Sequence, residues 1–396
     1  MLVPKLRFKE FKDDWIKNKL GEIGVFKNGI SKSEKYFGHG YKFVNLQDIF
    51  GKNEIKNGDY QLVEVSPKEL DEYKLNIGDV LFVRSSVKPS GVGLTSVVTE
   101  KMIDTVYSGF IIRFREIYNI LNLNFKKYCF YTDNFRKEVL KRSSSSANTN
   151  INQDNLSVLP IYYPSKIEQE KIANFLSLLD KKIELQNQKI EALKIYKRGL
   201  IQKIYQTNYN NKIKMKEILI QKSIRNTNDK KYNVYSVSNK DGFILQTEQF
   251  KERMVASEDT RNYKVVEKDD FAYNPARINV GSIARMKQDI KGIISPMYIC
   301  FKCNEKIIPE YLEYFFESSK FTYEMNKRLE GSVRMCLSYE SMLNIPIELP
   351  NKNEQEKISE ILKSLSQKIK KEEKKYMELN MLKKGLLQKM LSLTVN

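Results

Sequence analysis

From Glu168 to Tyr205 the chain lacks proline, and its apolar residues fall at Ile172, Leu176, Leu179, Ile183, Ile190, Leu193, Leu200 and Ile204. The steps alternate between four and three, the seam of a helix packed along another helix. Two seam positions are polar, Gln186 and Lys197. At about 1.5 Å per residue such a helix is roughly 57 Å long, with too narrow an apolar stripe for an ordinary core helix. Residues 354–391 repeat the pattern at Ile358, Leu362, Leu365, Ile369, Tyr376, Leu379, Leu386 and Met390, with polar breaks at Glu372 and Lys383. Each lies 186 residues after its counterpart, and Pro160–Tyr205 aligns with Pro346–Leu391 without a gap, with 20 identities. Two unrelated helices do not share both polar interruptions, so the chain contains an internal duplication.

Before each helix the pattern changes to short apolar runs between turn residues. In the first half the predicted strands are Lys42–Leu46, Asp79–Arg84, Thr95–Val98 and Gly109–Phe114, followed by a helical stretch over Leu123–Arg142 and a small polar loop, Ser143–Asn150. In the second half Lys214–Ile220 resembles Lys19–Val25, and Asp269–Asn274 parallels Asp79–Arg84. Ile278–Gly281 parallels Ser90–Gly93, Met297–Phe301 parallels Phe110–Phe114, and Gly331–Cys336 parallels Ser145–Asn150. Outside the apolar framework these halves differ almost everywhere, so one role was kept and another varied. The expected fold is α+β: two globular domains, each feeding a long helix. The helices pair antiparallel about a pseudo-twofold axis and hold the domains at opposite ends of a rod. One turn of B-DNA is about 34 Å, a spacing such a rod can match.

The chain has 396 residues and a formal charge of +19, which favours a polyanionic partner, or reflects a lysine-rich composition alone. Four cysteines, Cys129, Cys300, Cys303 and Cys336, are too few for a disulfide framework, and a reducing cytoplasm is expected. No signal peptide or membrane span is expected. Several chemistries are set aside. One histidine, His39, makes histidine-dependent nucleophilic catalysis unpromising. The Cys300/Cys303 pair lacks neighbouring ligands for zinc and reads as packing. No phosphate-binding G-x-x-x-x-G-K-[ST] loop is present. Asn274-Pro275-Ala276-Arg277 resembles the N-P-P-aromatic motif of adenine methyltransferases, but Arg277 stands where the aromatic ring belongs, and the segment reads as a turn.

The order globular–helix–globular–helix resembles the DNA specificity subunit of Type I restriction-modification systems. The motif P-x-x-x-P-x-x-x-E-Q-x-K-I leads into each helix, as Pro160–Ile172 and Pro346–Ile358. A K-x-G-L-x-Q-K tail occurs at Lys197–Lys203 and Lys383–Lys389, and Gly78–Arg84 and Asp270–Gly281 are similar to segments of this family's target-recognition domains. The resemblance implies target-recognition domains at 1–164 and 209–350, with spacer helices at 165–208 and 351–396. It implies a non-catalytic subunit that reads an asymmetric bipartite site in double-stranded DNA. It also implies two modification subunits docked along the helices, methylating adenine N6 with S-adenosylmethionine, and restriction subunits that translocate DNA. S-adenosylmethionine, ATP and Mg²⁺ then belong to the partners, and this chain carries no cofactor, no metal and no catalytic residue. Rival readings are a single-chain DNA methyltransferase or nuclease, and a coiled-coil adaptor without DNA readout.

Base readout needs Arg, Lys, Asn or Gln at groove edges, and phosphate contact needs cations, hydroxyls and backbone N–H groups. The loops richest in these groups supply the candidates. In the first half they are Lys32, Lys35, Arg84, Ser85, Lys88, Ser90, Ser145, Ser146, Asn148 and Asn150; in the second they are Arg225, Asn274, Arg277, Asn279, Arg285 and Arg334. The helix–helix interface is assigned to Ile172, Leu176, Leu179, Ile183, Leu193 and Leu200 with Ile358, Leu362, Leu365, Ile369, Leu379 and Leu386. Gly199 and Gly385 lie inside helical tails, where each costs roughly 1 kcal/mol relative to Ala, and suggest close approach of a partner or of the opposing helix.

Overall fold

The computed structural model of the chain describes residues 3–145, 147–207, 209, 211–228, 230–239, 241–249, 259–331 and 334–394. It divides into two compact units, Met1–Gln186 with Lys375–Asn396, and Asn187–Lys374. The division falls within both long helices, Lys166–Gln206 and Lys352–Leu391. Each unit therefore holds one globular half, the start of one helix and the end of the other.

The heptad pattern accounts for what the helices bury. Ile172, Leu176, Ile358, Leu362, Ile369 and Leu379 are buried, and Leu179, Ile183, Leu193, Leu200, Leu365 and Leu386 are half-buried. In the first unit Leu176 shares a core with Leu387 and Met390, and Asp180 pairs with Lys383. In the second, Ile201 shares a core with Ile358 and Leu362, while Lys189 meets Glu372 at 2.6 Å and Lys194 meets Glu373 at 2.9 Å. As numbers rise along one helix, those of its neighbour fall, so the pairing within each unit is antiparallel. Glu372, a polar break in the seam, meets a lysine across it as an antiparallel seam requires.

The first unit is built on a five-stranded sheet in the order Gly24–Asn28, Ile111–Glu116, Val80–Val83, Thr95–Val98, Glu54–Ile55. Val80–Val83 is apolar at every position and wholly buried, as a strand covered on both faces must be. A second sheet joins Thr105–Tyr107, Phe37–Val44 and Gln61–Val63. The second unit repeats the first four strands in the same order: Leu219–Lys222, Ile299–Cys303, Phe271–Tyr273, Ile283–Arg285. Its other sheet runs Gly242–Leu245, Asn233–Ser238, Gly292–Ile294, Lys264–Val266.

The helical stretch predicted over Leu123–Arg142 is two helices, Leu123–Cys129 and Asp133–Arg142. Thr132 separates them: its hydroxyl accepts the N–H of Phe135 and starts the second helix. Ser318 does the same for Phe321 at the start of Ser319–Asn326. A glutamine from the long helices then takes one further N–H at each start. Gln388 accepts from Asp133 at 2.7 Å, and Gln202, its equivalent, accepts from Ser319 at 2.8 Å. The seam lysines are equivalent too, Lys383 lying over the ring of Tyr128 and Lys197 over that of Tyr314. At Gly199 and Gly385 the opposing helix is not the close neighbour. A Cβ added at either meets nothing within 4 Å, so no opposing helix approaches them.

Candidate nucleic-acid interface

Gly78-Asp79 and Asp269-Asp270 begin equivalent strands, and Asp79 and Asp270 are buried parts of the frame. Asp79 accepts from the N–H of Asn76 at 2.8 Å and takes Arg115 in a two-pronged pair at 2.7 Å. Asp270 accepts from the N–H of Glu267 at 2.7 Å and from Lys222 at 2.5 Å. Burial raises the Asp270 carboxyl above its ordinary range against the pull of Lys222. These turns fix where the next strands end, and the candidate loops begin at those ends.

In the first unit the structure brings three candidate segments together. Ser85–Ser86 pairs with Thr149–Asn150, which pairs with Ser144–Ser145, so the serine-rich stretch predicted as a loop is a small sheet joined to the Arg84 loop. Arg84 lies opposite Phe110: its N–H donates to the Phe110 carbonyl at 2.9 Å and its guanidinium to the Gly109 carbonyl at 3.2 Å. Gly109 in turn donates to Ile30 at 2.7 Å, beside Ser31 and Lys32. A Cβ on Gly109 would fall 2.3 Å from the Ser31 hydroxyl oxygen, so a larger residue here would make that side chain move. The turn with Lys88 and Ser90 is held from behind by Arg136, whose guanidinium donates to the carbonyls of Ser90 at 3.0 Å and Val92 at 2.6 Å. Burial lowers the pKa of Arg136. Arg84, Lys88, Ser90, Lys35 and Asn148 are exposed, and Ser85 and Asn150 are half-buried. Ser145 contributes its backbone to the small sheet, and Ser146 lies outside the described residues. Lys32 is engaged by Glu69 at 2.7 Å.

The second unit joins its loops in the same way. The N–H of Leu337 donates to the Pro275 carbonyl at 3.1 Å, as that of Ile151 does to Arg84 at 3.0 Å. This brings the segment with Arg334 beside the one with Arg277 and Asn279, and all three side chains are exposed. Arg225 is exposed and donates to Asn262 at 3.3 Å.

Two candidates are corrected. The Arg285 guanidinium, 9% exposed, is bound by Glu310 at 2.7 Å, by Glu313 at 3.0 Å and by Asp269. Its Nε and Nη1 are held by carboxylates, and it ties its strand to the helix Pro309–Phe316. Asn274 is buried in a turn. Its side-chain oxygen accepts from Ala276 at 3.1 Å, and its backbone carbonyl accepts from Arg277 at 3.0 Å. The turn reading of Asn274–Arg277 therefore holds. Cys300 and Cys303 are packed in their strand, and burial pushes both thiols up to about 12. Among the described residues no group of histidines, cysteines or carboxylates is placed to hold a metal ion. Among them, too, no helix is long and apolar enough to cross a membrane.

The arrangement is thus one scaffold used twice, with polar and cationic loops at equivalent strand ends. A family model described as Type I restriction modification DNA specificity domain matches residues 12–194 and again 211–381. The chain belongs to this family. The family is the DNA-recognition component of Type I systems and not their catalytic part. The chain is 26% identical over 206 residues to the putative type I restriction enzyme MjaX specificity subunit of Methanocaldococcus jannaschii, a match covering 51% of this chain and 48% of that one. The chain therefore spans about half the length of this curated relative. The S subunit of a Type I restriction-modification system from M. genitalium has the same fold, with a TM-score of 0.52 at 16% identity over 98% of both chains. A chain from a type I R-M structure concerned with complex assembly and conformational transition gives a TM-score of 0.58 at 12% identity, over 97% of this chain and 99% of that one.

Proposed function

We propose that this chain is the sequence-reading subunit of a Type I restriction-modification complex. Each globular half reads one part of an asymmetric bipartite target in double-stranded DNA. One observation carries this reading: the specificity-domain model fits the chain twice, on two halves that share a strand order and differ in their loops. The charge of +19 supplies the attraction to the duplex, and the loop residues named above supply candidate contacts. Arg84, Lys88 and Asn150 in the first half, with Arg277, Asn279 and Arg334 in the second, remain the better-placed of these.

In this reading two modification subunits dock along the long helices, and restriction subunits join them. The support is an outer face that is apolar at equivalent places on both helices. Ile195 and Tyr196 are 60% and 63% exposed, and Met381 and Leu382, their counterparts, are 66% and 52% exposed. Single exposed apolar residues are ordinary, but adjacent pairs repeated in both copies fit a protein interface. S-adenosylmethionine, ATP and Mg²⁺ act on the partner subunits, and this chain performs no chemistry of its own.

Sequencing adenine methylation in a host carrying the chain with its partners tests the proposal. One bipartite motif is expected. Exchanging residues 1–160 for those of another member should change one half of the motif and leave the other. Methylation without any motif, or turnover of DNA by the isolated chain with S-adenosylmethionine or Mg²⁺, overturns it.

A further inference from the structure

Two apolar side chains stand at one position of the duplicated scaffold, among the polar loops of each half. Phe110 is 58% exposed and Met297 is 59% exposed. Both precede the same strand of the frame, Ile111–Glu116 in one half and Ile299–Cys303 in the other. The registers make them equivalent. Ile111 faces Val83, which places Phe110 opposite Arg84; Ile299 faces Tyr273, which places Met297 opposite Pro275. One strand further, the carbonyls of Arg84 and Pro275 accept the N–H groups of Ile151 and Leu337, where the segments carrying Asn150 and Arg334 end. Isolated exposed apolar residues are common on protein surfaces and need no cause. Here the loops on either side have diverged almost completely, yet a large apolar group remains exposed at the same rung of both. In the first half the guanidinium of Arg84 reaches the carbonyl of Gly109 beside it, and the Ser108 hydroxyl accepts the backbone N–H of Phe110. A bulky group in that setting complements a surface that is itself mixed, charged at its edge and apolar in patches. The major groove of DNA is such a surface, with phosphates along its rim and the thymine methyl as its apolar feature.

Resting on the DNA-recognition reading above, we propose that Phe110 and Met297 are specificity-determining contacts, each packing on a thymine methyl in its own half of the target. The polar loop residues fix the register on the duplex, and the apolar side chain distinguishes thymine from cytosine at one base pair per half.

The test uses the complete complex with its modification subunits and compares Phe110→Ala, Phe110→Leu and Met297→Ala. Both side chains are more than half exposed, so the folded chain should melt unchanged. Phe110→Ala should weaken binding to the target duplex by about 5- to 150-fold, the range of one lost base-pair contact. It should relax the methylated motif at a single position of one half, and Met297→Ala should do so in the other half. Phe110→Leu, which keeps an apolar surface, should retain most of the preference. Replacing the contacted thymine by uracil, which removes only the methyl, should weaken the unmodified complex and add little in Phe110→Ala. An unchanged motif and affinity in both alanine variants overturns the proposal while leaving the recognition reading intact. Weakened subunit assembly with an unchanged motif also overturns it, because a protein partner then covers these side chains. The absence of any motif in the unmodified complex ends the recognition reading and this proposal with it.

Discussion

The side-chain carbonyl of Gln169 accepts the backbone N–H of Asn122 at 2.7 Å, across 47 residues of sequence. Its amide donates to the carbonyls of Ile120 at 3.1 Å and Pro164 at 2.9 Å. In the second unit Gln355 accepts from Ile308 at 2.9 Å and donates to Lys306 at 3.2 Å and Pro350 at 3.0 Å. Every partner is displaced by the same 186 residues. Both glutamines are 1% exposed. The repeated E-Q motif is therefore a joint, which locks the start of each long helix to the loop after the central strands.

Loss of this joint should be expensive. Gln169→Ala leaves one buried N–H and two buried carbonyls without their partner, each worth about 1–3 kcal/mol if no water replaces it. We expect a loss of at least about 2 kcal/mol in denaturant unfolding, and a similar loss for Gln355→Ala. A change within about 0.5 kcal/mol, the usual range for surface positions, contradicts the assignment.

The seam makes a second contrast. Leu176 and Leu362 are fully buried, whereas Leu178 is 68% exposed. Truncating Leu176 or Leu362 to alanine should cost about 2–5 kcal/mol, and Leu178→Ala under about 0.5. Equal losses at Leu176 and Leu178, read from urea midpoints, would refute the seam.

Gly199→Ala and Gly385→Ala separate two roles of one residue. The added methyl meets open space, so alanine should stabilise the isolated chain by about 1 kcal/mol at each position. If a partner's backbone packs there, the same variants should weaken assembly with the modification subunits while raising the melting temperature. Full-strength assembly would leave both glycines without a docking role.

Much of the frame was readable because its signals are periodic. The three-four spacing predicts both long helices, and Val80–Val83 follows from a continuous apolar run. Polar residues were harder to assign, since their partners lie far away in sequence and leave no period. The carboxylates that occupy Arg285 come from 16, 25 and 28 residues away. The break at Thr132 was missed because a capping threonine looks like any other, and the glutamine that completes the cap lies 255 residues away. The joining of Ser85–Ser86 to Thr149–Asn150 was also missed. Serine and asparagine favour loops, and only tertiary pairing makes them strands. Phe110 passed as one more strand residue, although the glycine before it marks a close approach.

Acid should expose one electrostatic contribution in the second unit. Glu267 is held down at about 2 by hydrogen bonds from Lys291 and Lys222. A carboxyl depressed on folding contributes stability above its unfolded pKa of about 4.3, and that contribution disappears as pH falls through this value towards the folded one. Unfolding midpoints measured at pH 7 and pH 3 should differ less in Glu267→Gln than in the unmodified chain. An identical difference would show that the pair does not carry this dependence.

Arg277 and Arg285 stand eight residues apart and should fail in opposite ways. Arg277 is exposed on a turn fixed by Asn274, so Arg277→Ala should leave the melting temperature unchanged. As a phosphate contact it should weaken DNA binding at every sequence and lower the salt slope by about one; as a base contact it should relax one position of the motif. Arg285 is enclosed by Asp269, Glu310 and Glu313, and its burial opposes the charge that these carboxylates favour. Arg285→Ala leaves them facing one another and should cost about 1.5–3 kcal/mol, the range for a hydrogen bond to a charged group. Any fall in DNA binding should then track the unfolded fraction and vanish at lower temperature. If Arg285→Ala instead relaxes the methylated motif in a fully folded chain, the guanidinium leaves its carboxylates to reach DNA, and the structural role assigned to it is wrong.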